Sequence, residues 1–477
     1  MSVTLYSLGA AEEVTGSKHI FEVDGKSYMV DCGAFQGRRK ESDEKNRKFD
    51  FPVENLEAVI LTHAHYDHCG LLPVLTKNGF TKNIYATPAT RDLANLVLMD
   101  SAHIQARDAQ YLRKQAKKRG EVFTWQPLFD QHDVVNTTNQ MITVSYNREV
   151  FIGPNVKIEF FDAGHILGSA MILVTIINAK EKADESGSRD VRILYTGDLG
   201  RCGKAIIRDP AIDMPAPDYI ILESTYGNRK HESTDVAIEE LRKAAQYAFD
   251  RKGKVIIPAF AIERTQEIVF YLHLLVDKGR LPKVPIYVDS PMATNATSIF
   301  RVHQECYDDE TRQVFLDHHK NPFGFNELTF TTNVEESKNL NNIDGPMIII
   351  SADGMCEFGR IVHHVANNIS NPNNTVLIVG YMAENTLGRR LRDGEKEVRI
   401  FGDWHAVKAR VETVNAFSAH ADYTEMLTWL NNIDNTKLKK IFLVHGEEKA
   451  QLYFTQYLWD HNYTSVEVVK YGKTYEI

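Results

Sequence analysis

The segment His63-Ala64-His65-Tyr66-Asp67-His68 follows the apolar run 58–61 with Thr62 alone between, and no other stretch restricts the fold so tightly. Side chains of an extended chain alternate, so His63 and His65 point to one side. Asp67 and His68 follow where the strand gives way to a loop. Imidazole and carboxylate groups at this density suit zinc, with manganese or iron as outside alternatives. A hexapeptide cannot close two coordination spheres, so the fold must bring further ligands to the same sheet edge. Three candidates each end an apolar stretch: His165 after 156–161, Asp198 after 192–194 and His445 after 440–442. A carboxylate such as Asp198 is the group suited to bridge two ions.

Hydrophobic patterning divides the chain into three parts. Up to about residue 207, short apolar runs separated by Gly, Asn or Asp predict strands at Val3–Ser7, His19–Val23, 28–31, 58–61, Val156–Asp162, 171–177 and 192–195. One long helix is predicted over 89–118. After about residue 207 strands alternate with helices. Strands are expected at 219–222, 254–257, 285–288, Met347–Ser351 and 375–379, and helices at 235–251, 263–277, 296–307 and 362–368. Such alternation implies a parallel sheet covered on both faces. Near residue 398 the strand-rich style resumes, through 407–414, Lys440–Val444 and 466–471. The expectation is one domain (1–207 and 394–477) interrupted by another (208–393), with a mobile hairpin tip at 183–189.

Charge narrows the partners. A net charge of −9 and a pI of about 6.1 speak against a protein that coats nucleic acid, which needs a basic surplus. They leave room for an enzyme with a local basic cleft. Arg113-Lys114 and Lys117-Lys118-Arg119 fall in the helical stretch and read as a solvated face. Five cysteines without a close pair fit a reduced, cytoplasmic protein rather than a disulfide framework. No run approaches the roughly 20 apolar residues that span a bilayer, and the N-terminus lacks the pattern of a secretory signal.

The pattern Asp31, His63–His68, His165, Asp198, His445 resembles the metallo-β-lactamase superfamily. The resemblance implies an αββα sandwich, with Asp31 orienting the histidine loop rather than touching metal. The inserted alternating region is similar to the β-CASP branch, a parallel-sheet α/β domain found in RNA-processing nucleases such as bacterial RNase J. The likeness covers nearly the whole chain, including 257–264, 289–292, 351–355, 380–383 and 386–390. Within it, Glu223 in Leu222-Glu223-Ser224-Thr225 matches the branch's acidic motif. His420 in Phe417-Ser418-Ala419-His420 matches its histidine motif. DNA-directed relatives carry an aliphatic residue where His445 stands, so the resemblance points to RNA. No extra RNA-binding domain is expected at either end, a departure from archaeal members.

These matches imply a ribonuclease using two zinc ions (manganese as the substitute), held by His63, His65, Asp67, His68, His165, Asp198 and His445. His420 would donate the proton to the leaving oxygen and Glu223 would hold it charged. Arg264, Arg360, Arg389, Arg390 and Ser418 are candidates for RNA contact, since guanidinium forks suit phosphate. His363 and His364 read as core or cleft residues. RNA and a second copy of the chain are the expected partners, with no membrane. Two rivals stand beside this reading: a lactone or thioester hydrolase of the same superfamily, and a non-catalytic scaffold. A scaffold typically loses metal ligands, and here every expected position is filled.

Overall fold

The computed structural model describes residues 2–48, 51–179, 189–317, 321–380, 382–414 and 417–477, so the hairpin tip expected at 183–189 lies outside the described residues but for Arg189. The chain divides into two compact units. One comprises Met1–Cys202, Asp209–Lys230 and His420–Ile477; the other comprises Gly203–Arg208 and His231–Ala419.

Two seven-stranded sheets face each other in the first unit. The first runs in the order Tyr475–Glu476, Val3–Ser7, His19–Val23, Lys26–Val30, Leu56–Ile60, Ile84–Ala86, Met141–Thr143. The second runs Val466–Val468, Lys440–Val444, Tyr219–Glu223, Arg189–Tyr195, Ala170–Ala179, Val156–Asp162, Val150–Gly153. Alternate side chains such as Phe21, Tyr28 and Ile60 of one sheet meet Phe160, Ile172 and Phe442 of the other in a closed core. Each such side chain contributes about 1.5–3 kcal/mol when fully buried. The opposite face of the second sheet is covered by helices Tyr423–Asn432 and Glu448–Asp460, through Met426, Leu430, Phe454 and Leu458. The long helix Pro88–Arg119 begins where the Thr87 hydroxyl accepts from the Thr90 N–H, and it ends at Gly120 in the left-handed conformation.

Register explains why ligand candidates share one edge. Lys26–Val30 pairs in parallel with Leu56–Ile60, Val30 opposite Ile60, so Asp31 and the histidine segment leave the first sheet side by side. In the second sheet Tyr195 pairs with Ile221, and Glu223 with Val444, again in parallel. Asp198, Glu223 and His445 therefore lie at or just past the carboxyl ends of adjacent strands.

The second unit holds an all-parallel six-stranded sheet, ordered Leu328–Phe330, Ile286–Val288, Met347–Ser351, Lys254–Pro258, Thr375–Ile378, Arg410–Thr413. Ile256, Ile349, Val376 and Ile378 pack beneath Ile361 and Val365 of helix Arg360–Asn368. Three expectations are corrected here. Tyr219–Glu223, read as the first strand of the alternating series, belongs to the first unit. Residues 407–414, read as the return to the first unit, supply the edge strand Arg410–Thr413 of the parallel sheet, and the unit runs to Ala419. A short apolar run carries no mark of which sheet it will join. The helix expected at 296–307 is Pro291–Val302, because the Ser290 hydroxyl caps the Ala293 N–H and Pro291 is preset for the first turn.

Candidate metal centre

Every ligand candidate from the sequence arrives at one place in the first unit, as two adjoining clusters. In one, His63 Nε2 and His65 Nδ1 lie 3.0 Å apart and His65 Nδ1 and His165 Nε2 3.1 Å apart. Asp198 Oδ2 is 3.4 Å from both His63 Nε2 and His165 Nε2. In the other, His68 Nε2 is 3.1 Å from His445 Nε2 and 3.3 Å from Asp198 Oδ1. Asp67 Oδ2 stands 3.6 Å from His445 Nε2. Asp198 thus offers one oxygen to each cluster.

The donor set fits metal. Bonds of about 2.0–2.1 Å in tetrahedral geometry place ligand atoms about 3.3 Å apart, which is the spacing seen. The ring nitrogens converge on one another. His68 turns Nδ1 to Asp31 Oδ2 at 2.7 Å, which leaves Nε2 facing His445 and Asp198. Asp198 Oδ1 is buried with no hydrogen-bond partner among the described residues. Burial pushes His63 and His65 down to about 4, and His165 well below its ordinary value, so these rings are neutral and ready to ligate near pH 7. Burial acts against charge on His68 as well, yet Asp198 and Asp31 draw a proton to it. Burial likewise opposes ionisation of Asp198, but His445 and His68 hold its carboxyl well below the usual range.

Surrounding residues fix these rings. Asp31, buried, accepts from the Thr62 N–H at 2.8 Å and from the Thr62 hydroxyl. The Thr62 hydroxyl also lies 3.0 Å from His63 Nδ1, and the Thr225 hydroxyl 2.9 Å from His445 Nδ1. Sequence reasoning missed Thr62 and Thr225, although each stands beside a motif residue. Gly33 passes so close to the loop that a Cβ there would lie 1.5 Å from the Asp67 carbonyl oxygen.

Glu223 and His420 adjoin the clusters. Glu223 is fully buried; its Oε1 accepts from the Leu199 N–H at 2.7 Å and lies 3.0 Å from His420 Nδ1. Burial opposes charge on His420, but Glu223 and Asp198 raise it to about 9. The His420 loop is held by the Ala421 N–H donating to the Leu199 carbonyl at 2.7 Å. Asp198, Glu223 and His420 form a third group with metal-ligand spacing.

The RNA-contact candidates all belong to the second unit. Arg264 is buried and ion-paired with Glu267. Arg360 donates to Asp289 at 2.6 Å, and Arg389 to Asp393 at 2.7 Å. Arg390 and Ser418 are half-buried. His364 is buried with Nε2 2.6 Å from Asp289, which makes it part of that unit's core network, while the His363 ring lies tilted beside Phe401 with ring centres 4.5 Å apart.

Sandwich, inserted parallel sheet and histidine–aspartate pocket define a metallo-β-lactamase-type metallo-hydrolase with a β-CASP insertion. Family models agree: the metallo-beta-lactamase superfamily matches residues 19–168, the Beta-Casp domain 265–391, and the Zn-dependent metallo-hydrolase RNA specificity domain 404–469. The chain belongs to this family. Among its relatives, Ribonuclease TTHA0252 of Thermus thermophilus is 34% identical, over 93% of both chains. Transcription termination factor FttA of Methanosarcina mazei is 29% identical over 94% of this chain and 67% of its own length. A solved structure titled as a protein of unknown function from Enterococcus faecalis V583 shares the fold, with a TM-score of 0.55, 12% identity and full coverage of both chains. The RNA specificity model sets aside the lactone and thioester reading. No helix among the described residues is long and apolar enough to cross a membrane.

Proposed function

We propose that the chain hydrolyses RNA phosphodiester bonds at a two-zinc centre, in RNA processing or decay in the cytoplasm. The observation that carries the two-ion reading is the division of Asp198, one carboxylate oxygen facing His63 and His165 and the other facing His68 and His445. His63, His65, His165 and Asp198 would hold one ion, and Asp67, His68, His445 and Asp198 the second; manganese suits the same donors. When bound, such a pair supplies a water of lowered pKa and offsets the charge gathering on phosphoryl oxygens. Asp31 and the Thr62 and Thr225 hydroxyls keep the rings aimed. His420, its Nδ1 turned to the Glu223 carboxylate, keeps a proton on Nε2 for the departing oxygen. Ser418 and Arg390 are assigned to the phosphate chain on their chemistry.

The test is cleavage of one 5′-labelled RNA beside a matched DNA by zinc-loaded protein. Internal cuts define an endonuclease, and release of the terminal nucleotide alone a 5′ exonuclease. Metal-loaded protein that leaves RNA intact would overturn the proposal, and a metal content near one ion per chain would overturn its two-ion part.

A further inference from the structure

Residues 107–119, the last turns of the helix Pro88–Arg119, carry six basic side chains against Asp108 alone, in a chain of net charge −9. Arg107, Arg113, Lys114, Lys117, Lys118 and Arg119 are all exposed, and none forms an ion pair among the described residues. Arg113 instead lies over the Phe123 ring at 5.3 Å. The contrast with helix Arg39–Arg47 is direct: there Lys45 pairs with Glu13 and Arg47 with Asp43.

The face is solvated as the sequence suggests, and its charge distribution also suits an anionic partner. Basic groups in a helix's last turn interact favourably with its dipole, which accounts for Lys117, Lys118 and Arg119. Arg107, Arg113 and Lys114 lie further back. Arg113 with Lys117, and Lys114 with Lys118, are like-charged neighbours at i,i+4, an arrangement that weakens a helix. Each such pair costs about 0.2–0.5 kcal/mol, a cost that a bound polyanion would relieve. Arg107, Tyr111, Lys114 and Lys118 share one stripe, and Tyr111 on it is 62% exposed, so the face combines cations with an open aromatic ring. Phosphate attracts the first and unstacked bases the second.

Position ties this face to the metal pocket within the same unit. The Ser101 hydroxyl donates to the hydroxyl of Tyr66, between His65 and Asp67, at 3.0 Å. From that contact, at 1.5 Å per residue, Arg107 is about 9 Å and Arg119 about 27 Å further along the helix axis. Near its base the helix is braced by the Leu128 N–H, which donates to Gln105 Oε1 at 2.8 Å.

We propose that residues 107–119 form an exosite for single-stranded RNA, taking the phosphate chain of the substrate at a distance from the bond that is cut. The inference rests on the ribonuclease reading and adds a second place of contact. Arg107→Gln, Lys114→Gln, Lys117→Gln and Lys118→Gln, combined in the full zinc-loaded chain, keep the helix and remove four charges. Fluorescence anisotropy with a long single-stranded RNA, over a salt series, should show affinity reduced at least about tenfold and a log–log salt slope smaller by about 2–3. Cleavage of a dinucleotide, too short to reach the helix, should be unchanged. Parental affinity and slope in the variant, with cleavage intact in the parent, would overturn the exosite alone and make an acidic protein the better occupant. A parent that neither binds nor cuts the long RNA overturns both readings.

Discussion

Replacing Asp31 by asparagine should strip the second cluster of its metal while leaving the fold in place. Both oxygens of Asp31 accept: one takes the Thr62 N–H at 2.8 Å, the other lies 2.7 Å from His68 Nδ1. Asparagine has one accepting oxygen and one donating nitrogen. If its oxygen meets Thr62, its NH2 faces His68 Nδ1, and the ring must shift its proton to Nε2, the atom that faces Asp198 and His445. If it flips, two donors collide at Thr62. One mismatched buried donor costs about 1–3 kcal/mol, or roughly 5- to 150-fold in binding at 1.4 kcal/mol per decade. That agrees with the 10- to 100-fold typical of lost ligand-orienting partners. Zinc competition against a chromophoric chelator, beside thermal unfolding of the metal-free protein, measures both quantities. An Asp31→Asn variant that holds its zinc within about threefold of the parent would refute the tautomer argument.

Further expectations bear on the neighbouring residues. His420→Ala should retain the parent's zinc content and lose about 10²–10⁴ in kcat; near-parental cleavage would remove His420 from proton transfer. Glu223→Gln should move the alkaline limb of the rate profile to lower pH, because Glu223 helps raise His420 to about 9 and the acid acts only while protonated. Gly33→Ala should expel the histidine loop from its place, since the new Cβ would sit 1.5 Å from the Asp67 carbonyl oxygen; zinc content read by atomic emission should fall sharply. In the second unit, Asp289→Ala should cost about 3–5 kcal/mol in chemical denaturation by stranding Arg360 and His364. Burial acts to raise the Asp289 carboxyl, but His364, Ser337, Thr331 and Arg360 hold it down at about 2. Its stabilisation is therefore present above the ordinary carboxylate range and lost as pH falls through about 2.

Much of the pocket was legible before folding because its chemistry is local. The hexapeptide 63–68 writes its candidate ligands in one line, and His165, Asp198 and His445 each mark the end of an apolar run. Strand boundaries such as Val3–Ser7, His19–Val23 and Lys440–Val444 likewise follow from patterning alone. Partnership was not legible, because a strand's residues state what it buries and not which neighbour it meets. Tyr219–Glu223 and Arg410–Thr413 are both short strands, yet the first completes the sandwich sheet and the second edges the inserted one. The same limit hid what each arginine does. Arg264 and Arg360 looked available to phosphate until the tertiary structure set Glu267 and Asp289 against them. Residues 107–119 read as a solvated face, and the fold leaves their six basic side chains exposed and outside any ion pair among the described residues. Sequence determined which groups the chain could offer. Only the fold decided which of them spend their charge on one another, because ion pairing depends on distances of a few ångströms that the order of residues does not contain.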